Sequence, residues 1–168
     1  MPKLFWMSSI QNMRMSEGVE WAVHCCLNLA WTGPDRALTA TRLAAYYDLP
    51  AAYLNKQLQA LARAGIVTST PGPRGGFRLA RPAASITLAD LVTAIEGPEP
   101  AFRCAEIRRR GPGATAVDDT RCAVDQAMGR AELAWRRELA GQALSDLMAT
   151  VDRTAPDAPE RARRWFAT

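Results

Sequence analysis

Histidine is almost absent from this chain of 168 residues: there is one, His24. That leaves little acid–base machinery. No Gly-rich phosphate loop follows a strand pattern, and no nucleophile–base–acid set is evident, so the sequence offers an enzymatic reading nothing to rest on. No apolar run reaches the roughly 18 residues that a membrane span needs. The opening segment, MPKLFWMSSIQNM, holds a short apolar cluster at Leu4, Phe5, Trp6 and Met7. It is too short for a signal-peptide core and lacks a clear cleavage site, so residues 1–14 read as a flexible extension. Four cysteines in a chain of cytoplasmic character argue for thiol or metal chemistry over a disulfide scaffold. Internal repeats are absent. The length fits one domain with an appendage and is enough to bury a core.

What is present is concentrated between residues 39 and 81. Thr39 or Thr41 can cap a short helix whose buried face is Leu43, Ala44 and Tyr47. Asp48–Leu49–Pro50 breaks it as a helix-to-helix turn would. Leu54, Leu58, Leu61 and Ala62 then recur at spacings of three and four, which defines one face of a second helix. Gly65 stops that helix. Ile66, Val67, Thr68 and Thr70 suit a strand. Pro71, Gly72, Pro73, Gly75 and Gly76 make a tight turn, and Phe77 and Leu79 resume the alternation. Helix, turn, helix, strand, basic tip and strand, in that order, describe a winged helix. The second helix of such a unit enters the major groove of double-stranded DNA. Its outward residues here, Tyr53, Asn55, Lys56, Gln57, Gln59 and Arg63, include side-chain types that pair with base edges or phosphate. Thr41 at the first helix and Arg74, Gly75 and Arg78 at the wing complete the expected DNA-facing set. Charge agrees. Residues 42–81 carry Arg42, Lys56, Arg63, Arg74, Arg78 and Arg81 against the single acid Asp48, while the whole chain is only +4. The positive excess sits where counterion release would use it.

Two further helices are expected. Residues 86–97 form one, capped by Thr87 and ended by Gly97. Residues 123–151 form a long one, with Val124, Met128, Ala131, Trp135, Leu139, Ala143 and Leu147 as an apolar stripe. A single helix cannot bury that stripe, so a symmetric pairing with a second copy is expected. The fold class is therefore mainly α with a small β-wing. A winged helix-turn-helix domain over residues 15–100 is followed by a cysteine-bearing loop over 101–122 and a dimerisation helix over 123–151. The segment 152–168, rich in Pro, Asp and Arg, is expected to be a tail ordered only in part, with Trp165 and Phe166 available to dock.

The candidate chemistry turns on Glu20, His24, Cys104 and Cys122. Glu20 and His24 are four apart and share a helix face. Cys104 and Cys122 flank the loop AEIRRRGPGATAVDDTR, and a thiol just ahead of a helix N-terminus is biased toward thiolate. Cys25 and Cys26 are adjacent on a helix, point in different directions and read as small core residues. Arg108, Arg109 and Arg110 read as a solvated basic run.

The segments MSEGVEWAVHCCLNLA, LPAAYLNKQLQALARAGIVTSTPGPRGGFRLARP and ITLADLVTAIEGPEPAF with its following cysteine resemble the Rrf2 family of bacterial transcription regulators. That family includes the iron–sulfur cluster regulator and the nitric-oxide-sensing repressor. The resemblance covers about Met15 to Leu147 and implies a homodimer with one winged helix per subunit. The cluster-binding members carry three closely spaced cysteines in this loop, whereas this chain has two, well separated. GVEWAVHCC with a two-cysteine loop is closer to the redox-sensitive response regulator subgroup. That likeness implies a [2Fe–2S] cluster held by Cys104 and Cys122 of one subunit and by Glu20 and His24 of the other. Two alternatives stay open: a cluster-free regulator switched by a Cys104–Cys122 disulfide, and one in which these residues are structural and a small ligand or partner protein regulates. A reading from another class, an iron–sulfur electron-transfer or carrier protein, would need no wing arginine and no groove-facing glutamines.

Overall fold

The structure is a computed structural model that describes residues 15–114 and 120–168. The extension expected at 1–14 lies outside the described residues. Two compact units are distinguished and each is described by itself. The larger comprises Met15–Pro98 with Glu138–Thr168, and the smaller contains Glu99–Arg137.

In the larger unit, α1 (Glu17–Thr32) is the central helix and buries Val19, Ala22, Cys25, Cys26, Leu27, Asn28 and Leu29. Helix α2 (Ala40–Tyr47) starts where the Thr39 hydroxyl accepts from the Arg42 amide, and Asp48 closes it in the left-handed conformation. Helix α3 (Ala51–Arg63) follows Pro50 and buries Leu54, Leu58 and Leu61, as the spacing requires. Strands β1 (Val67–Thr70) and β2 (Gly76–Leu79) pair antiparallel, from Val67 opposite Leu79 to Thr70 opposite Gly76. An isolated two-stranded ribbon is marginal in water. Here its root is reinforced: Leu38 and Phe77 exchange both backbone hydrogen bonds, at 3.0 and 2.8 Å, and both side chains are buried. The tip closes at Gly75, where a Cβ would lie 2.1 Å from the Thr70 carbonyl oxygen, so only glycine fits.

Helix α4 (Leu88–Glu96) carries the expected caps. Thr87 and Asp90 bond each other's backbone amides in a capping box, and Arg81 pairs with Asp90 at 3.0 Å.

The single long helix expected over 123–151 is not formed. Helix α5 (Ala123–Ala140) ends, and α6 (Leu144–Thr154) starts afresh after three intervening residues. The reason is local. Leu88 N–H bonds the Gln142 carbonyl at 2.9 Å, and Leu144 N–H bonds the Ile86 carbonyl at 2.8 Å. These bonds replace those the helix gives up at Gly141, a poor helix former. The break puts Leu144 wholly into the core. Ala143 and Leu147 thus leave the α5 stripe: Ala143 bridges to Thr87, and Leu147 packs against the core.

The tail expectation is also corrected. Helix α7 (Ala158–Ala167) packs on α1 and buries Pro159, Ala162 and Phe166. Phe166 and Trp165 join Tyr46 in an aromatic cluster with ring centres 4.9–5.2 Å apart. Arg36 and Arg42 donate to the Phe166 and Trp165 carbonyls that the helix end leaves open.

Candidate functional site

Most of the residues expected to face DNA are exposed. Thr41 on α2, Tyr53, Asn55, Lys56, Gln59 and Arg63 on α3, and Arg74 at the wing tip all reach solvent. Tyr53 is held edge-on against Trp21 of α1, ring centres 5.2 Å apart. Arg78 is half-buried and reaches Thr70 Oγ1 at 3.4 Å. Gly75 is buried in the bend of the tip; its amide donates to the Gly72 carbonyl at 2.9 Å.

Gln57 departs from the expectation. It is 7% exposed and lies over Gly18, where an added Cβ would be 3.0 Å from its Cδ. Its side chain packs α3 onto α1 and is withdrawn from the surface expected to face the groove. The signal was in the spacing. Gln57 is three after Leu54 and four before Leu61, so it belongs to the apolar face despite its polarity. Two of the six basic residues are also committed internally. Arg81 pairs with Asp90, and Arg42 lies 5.6 Å from the Trp165 ring centre while bonding its carbonyl. Burial alone would raise the Asp90 carboxyl, but the Thr87 amide and the Arg81 guanidinium hold it below the usual carboxylate range.

Glu20 and His24 are both exposed on one face of α1. With Trp21, Tyr47 and Leu49 they line a shallow cleft. The His24 ring lies 5.6 Å from that of Tyr47, at the end of α2. The Tyr47 hydroxyl accepts from Asn28 Nδ2 at 3.0 Å, and Asn28 is wholly buried. Burial pushes the Tyr47 phenol above its ordinary range, so it stays protonated. The candidate ligand His24 thus abuts α2, the helix packed against α3.

In the smaller unit Cys104 and Cys122 come together across the loop, and Glu106 joins them. One ligand atom from each lies within 4.8 Å of the others. The Cys104 thiol points at Glu106 Oε1 at 3.7 Å. Cys122 is buried immediately ahead of α5. The Asp125 amide, the Val124 amide, the Cys104 thiol and the Arg108 charge together bring the Cys122 thiol below its ordinary range despite burial. At Cys104 the Glu106 amide acts the other way, but burial, the neighbouring Cys122 and the Glu106 carboxylate outweigh it and the thiol is raised. The pair is therefore polarised, with Cys122 the thiol that ionises more readily. Glu106 was not singled out from the sequence; the available signal was a carboxylate two residues from Cys104. Arg108 is no solvated charge either, since it bonds Glu106 at 2.9 Å and the Thr120 carbonyl at 2.9 Å. Cys25 and Cys26 lie wholly in the core, as expected, and burial pushes the Cys25 thiol up to about 12.

Helix α5 buries none of its own residues. Val124, Leu133 and Trp135 are exposed apolar side chains on it.

Comparison with known proteins gives three results. The Rrf2 family model, described as an iron-dependent transcriptional regulator, matches residues 15–150. Protein aau3 of Rhizobium meliloti is 32% identical over 136 residues, which is 81% of this chain and 85% of that protein. Among solved structures, CymR, the global cysteine regulator of B. subtilis, superposes with a TM-score of 0.65 at 22% identity, over 83% of this chain and 98% of CymR. IscR of T. potens gives 0.66 at 18% identity, over 86% and 92% of the two chains.

Proposed function

The chain belongs to the Rrf2 family of transcriptional regulators, and from that premise we propose that it is a cytoplasmic homodimer whose grip on operator DNA is set by a [2Fe–2S] cluster. Cys104 and Cys122 of one subunit and Glu20 and His24 of the other would hold the cluster. The observation that carries this reading is the convergence of the two loop thiols within 4.8 Å, with Cys122 biased toward thiolate. That donor chemistry fits the group: thiolates suit iron–sulfur iron, and imidazole is an accepted partner. When bound, the cluster would supply a one-electron redox change, made easier because a carboxylate and a neutral imidazole bring less negative charge than two thiolates would.

The chain's own residues supply the rest. His24 packs on Tyr47 and Trp21 packs on Tyr53. Strain or charge at the Glu20–His24 face therefore reaches both helices of the DNA-reading unit through ring contacts. DNA would be gripped by Thr41, Tyr53, Asn55, Lys56, Gln59 and Arg63, with Arg74 and Arg78 on the wing. The α5 stripe supports pairing of two copies, since a helix with none of its residues buried gains its stability from a partner. No helix among the described residues is long and apolar enough to cross a membrane.

The test is anaerobic purification followed by a visible absorption spectrum and iron and sulfide counts. A coloured dimer with about two irons and two sulfides per chain is expected. Cys104→Ala or Cys122→Ala should bleach it without dissociating it, and His24→Ala should lower or abolish loading. A colourless chain that cannot be reconstituted overturns the cluster. The same thiol convergence favours a second reading in that event, a reversible Cys104–Cys122 disulfide, which loss of two free thiols on mild oxidation would reveal.

A further inference from the structure

We propose that Cys104, Glu106 and Cys122 form a mononuclear divalent-metal site, of the zinc or ferrous class, that is complete within one subunit. The ion and the cluster compete for the same two thiols, so this is the site of the chain when no cluster is loaded; its third ligand is Glu106 and it needs neither Glu20 nor His24.

A tetrahedral ion with metal–sulfur bonds of about 2.3 Å and metal–oxygen bonds of about 2.0 Å separates sulfur from oxygen by about 3.5 Å. Cys104 Sγ and Glu106 Oε1 already stand 3.7 Å apart. The remaining separations, all within 4.8 Å, require closure by no more than about 1.3 Å. Backbone conformation points the same way. Glu106 holds φ 47° and ψ 47°, the left-handed region that a residue with a Cβ seldom occupies. That turn sends the carboxylate back toward Cys104 instead of onward with the chain. Orientation is then fixed by Arg108, which bonds Glu106 Oε2 at 2.9 Å and Oε1 at 3.2 Å while anchored on the Thr120 carbonyl. A ligating carboxylate braced by an outer hydrogen-bond partner is the usual construction of a metal site.

Charge closes the account. Two thiolates and one carboxylate are balanced by a divalent ion together with the Arg108 guanidinium, leaving the filled site neutral. Burial is graded: Cys122 is buried, while Cys104 and Glu106 are half-exposed. The fourth position of the tetrahedron would therefore face solvent and hold a water or an exchangeable ligand, as in zinc sites that keep one position open.

The experiment uses the full chain, reduced and stripped of metal under anaerobic conditions, titrated with cobalt(II) as the probe. Expected are thiolate-to-cobalt charge-transfer bands and intense tetrahedral ligand-field bands that saturate at about one ion per chain and are removed by zinc. Glu106→Gln should weaken cobalt binding at least tenfold. Glu20→Gln and His24→Ala should leave it unchanged. Wild-type affinity in Glu106→Gln, absence of the bands, or loss of affinity in His24→Ala would each overturn the proposal. The cluster reading fails separately. It predicts that iron–sulfide loading collapses in His24→Ala, whereas the single-ion site predicts cobalt binding intact in that same variant.

Discussion

At Cys122 two helix-start amides and a nearby guanidinium favour the thiolate, while at Cys104 burial, the neighbouring Cys122 and the Glu106 carboxylate raise the thiol. The pair should lose its protons in two steps that belong to both sulfurs together. Ultraviolet thiolate absorbance followed against pH should show one step below and one above the ordinary thiol range, and Cys104→Ala should leave a single step. Cys25 and Cys26 should stay silent until the chain unfolds, because burial penalises their anions. A second prediction separates two neighbours on α3. Gln59→Ala should weaken selective DNA binding with little change in stability. Gln57→Ala should lower stability through its lost packing on Gly18 and should not remove a base contact, as thermal denaturation and DNA titration together would check. These residues also mark what the sequence could carry. The cysteine pair was legible because thiols are rare in the chain. Gln57 was misread because polarity was weighed above helical position. Glu106 was passed over because its reach depends on a left-handed backbone that spacing does not reveal.

At the level of elements, the apolar periodicity of α1 to α4 carried most of the fold, since each helix buries one stripe against the others. Periodicity failed at residue 141 because the three-and-four pattern runs on through the break, while the hydrogen bonds to Ile86 and Leu88 that reward the break are distant in sequence. It also undervalued α7, whose apolar face is only Pro159, Ala162 and Phe166 amid charges. Phe166→Ala should cost about 3–5 kcal/mol in denaturant unfolding, the range for emptying a fully buried aromatic site. A cost below about 1 kcal/mol, the level of an ordinary surface substitution, would restore the picture of a dispensable tail. For α5, Trp135→Asp should shift the chain toward monomer in analytical ultracentrifugation while leaving the far-ultraviolet signature of the larger unit; an unchanged dimer would move the interface off the stripe.

For the whole molecule, formal charge overstates what DNA can use. Of the six basic residues between 42 and 81, Arg42 and Arg81 are spent on α7 and α4. Arg74→Ala should weaken binding to all DNA sequences and reduce the slope of log affinity against log salt by about one. Arg42→Ala should barely change that slope and should instead loosen the aromatic cluster at Trp165. A reversal of the two results would mean that the wing tip stands clear of the phosphates and that α2 meets them. The charge excess was visible in composition; its division between internal and outward use depended on where α4 and α7 dock.

The wing has one further consequence, for how such a reader can change over generations. Its root is stitched to Leu38, and its bend is locked at Gly75, where any side chain would strike the Thr70 carbonyl. Between those fixed points, Pro71, Pro73 and Arg74 are exposed and enter no core contact. Mutational drift at those three positions should leave the folding free energy almost constant, so any contact the tip makes can change without cost to the fold. The wing is in effect an interchangeable bit in a permanent chuck.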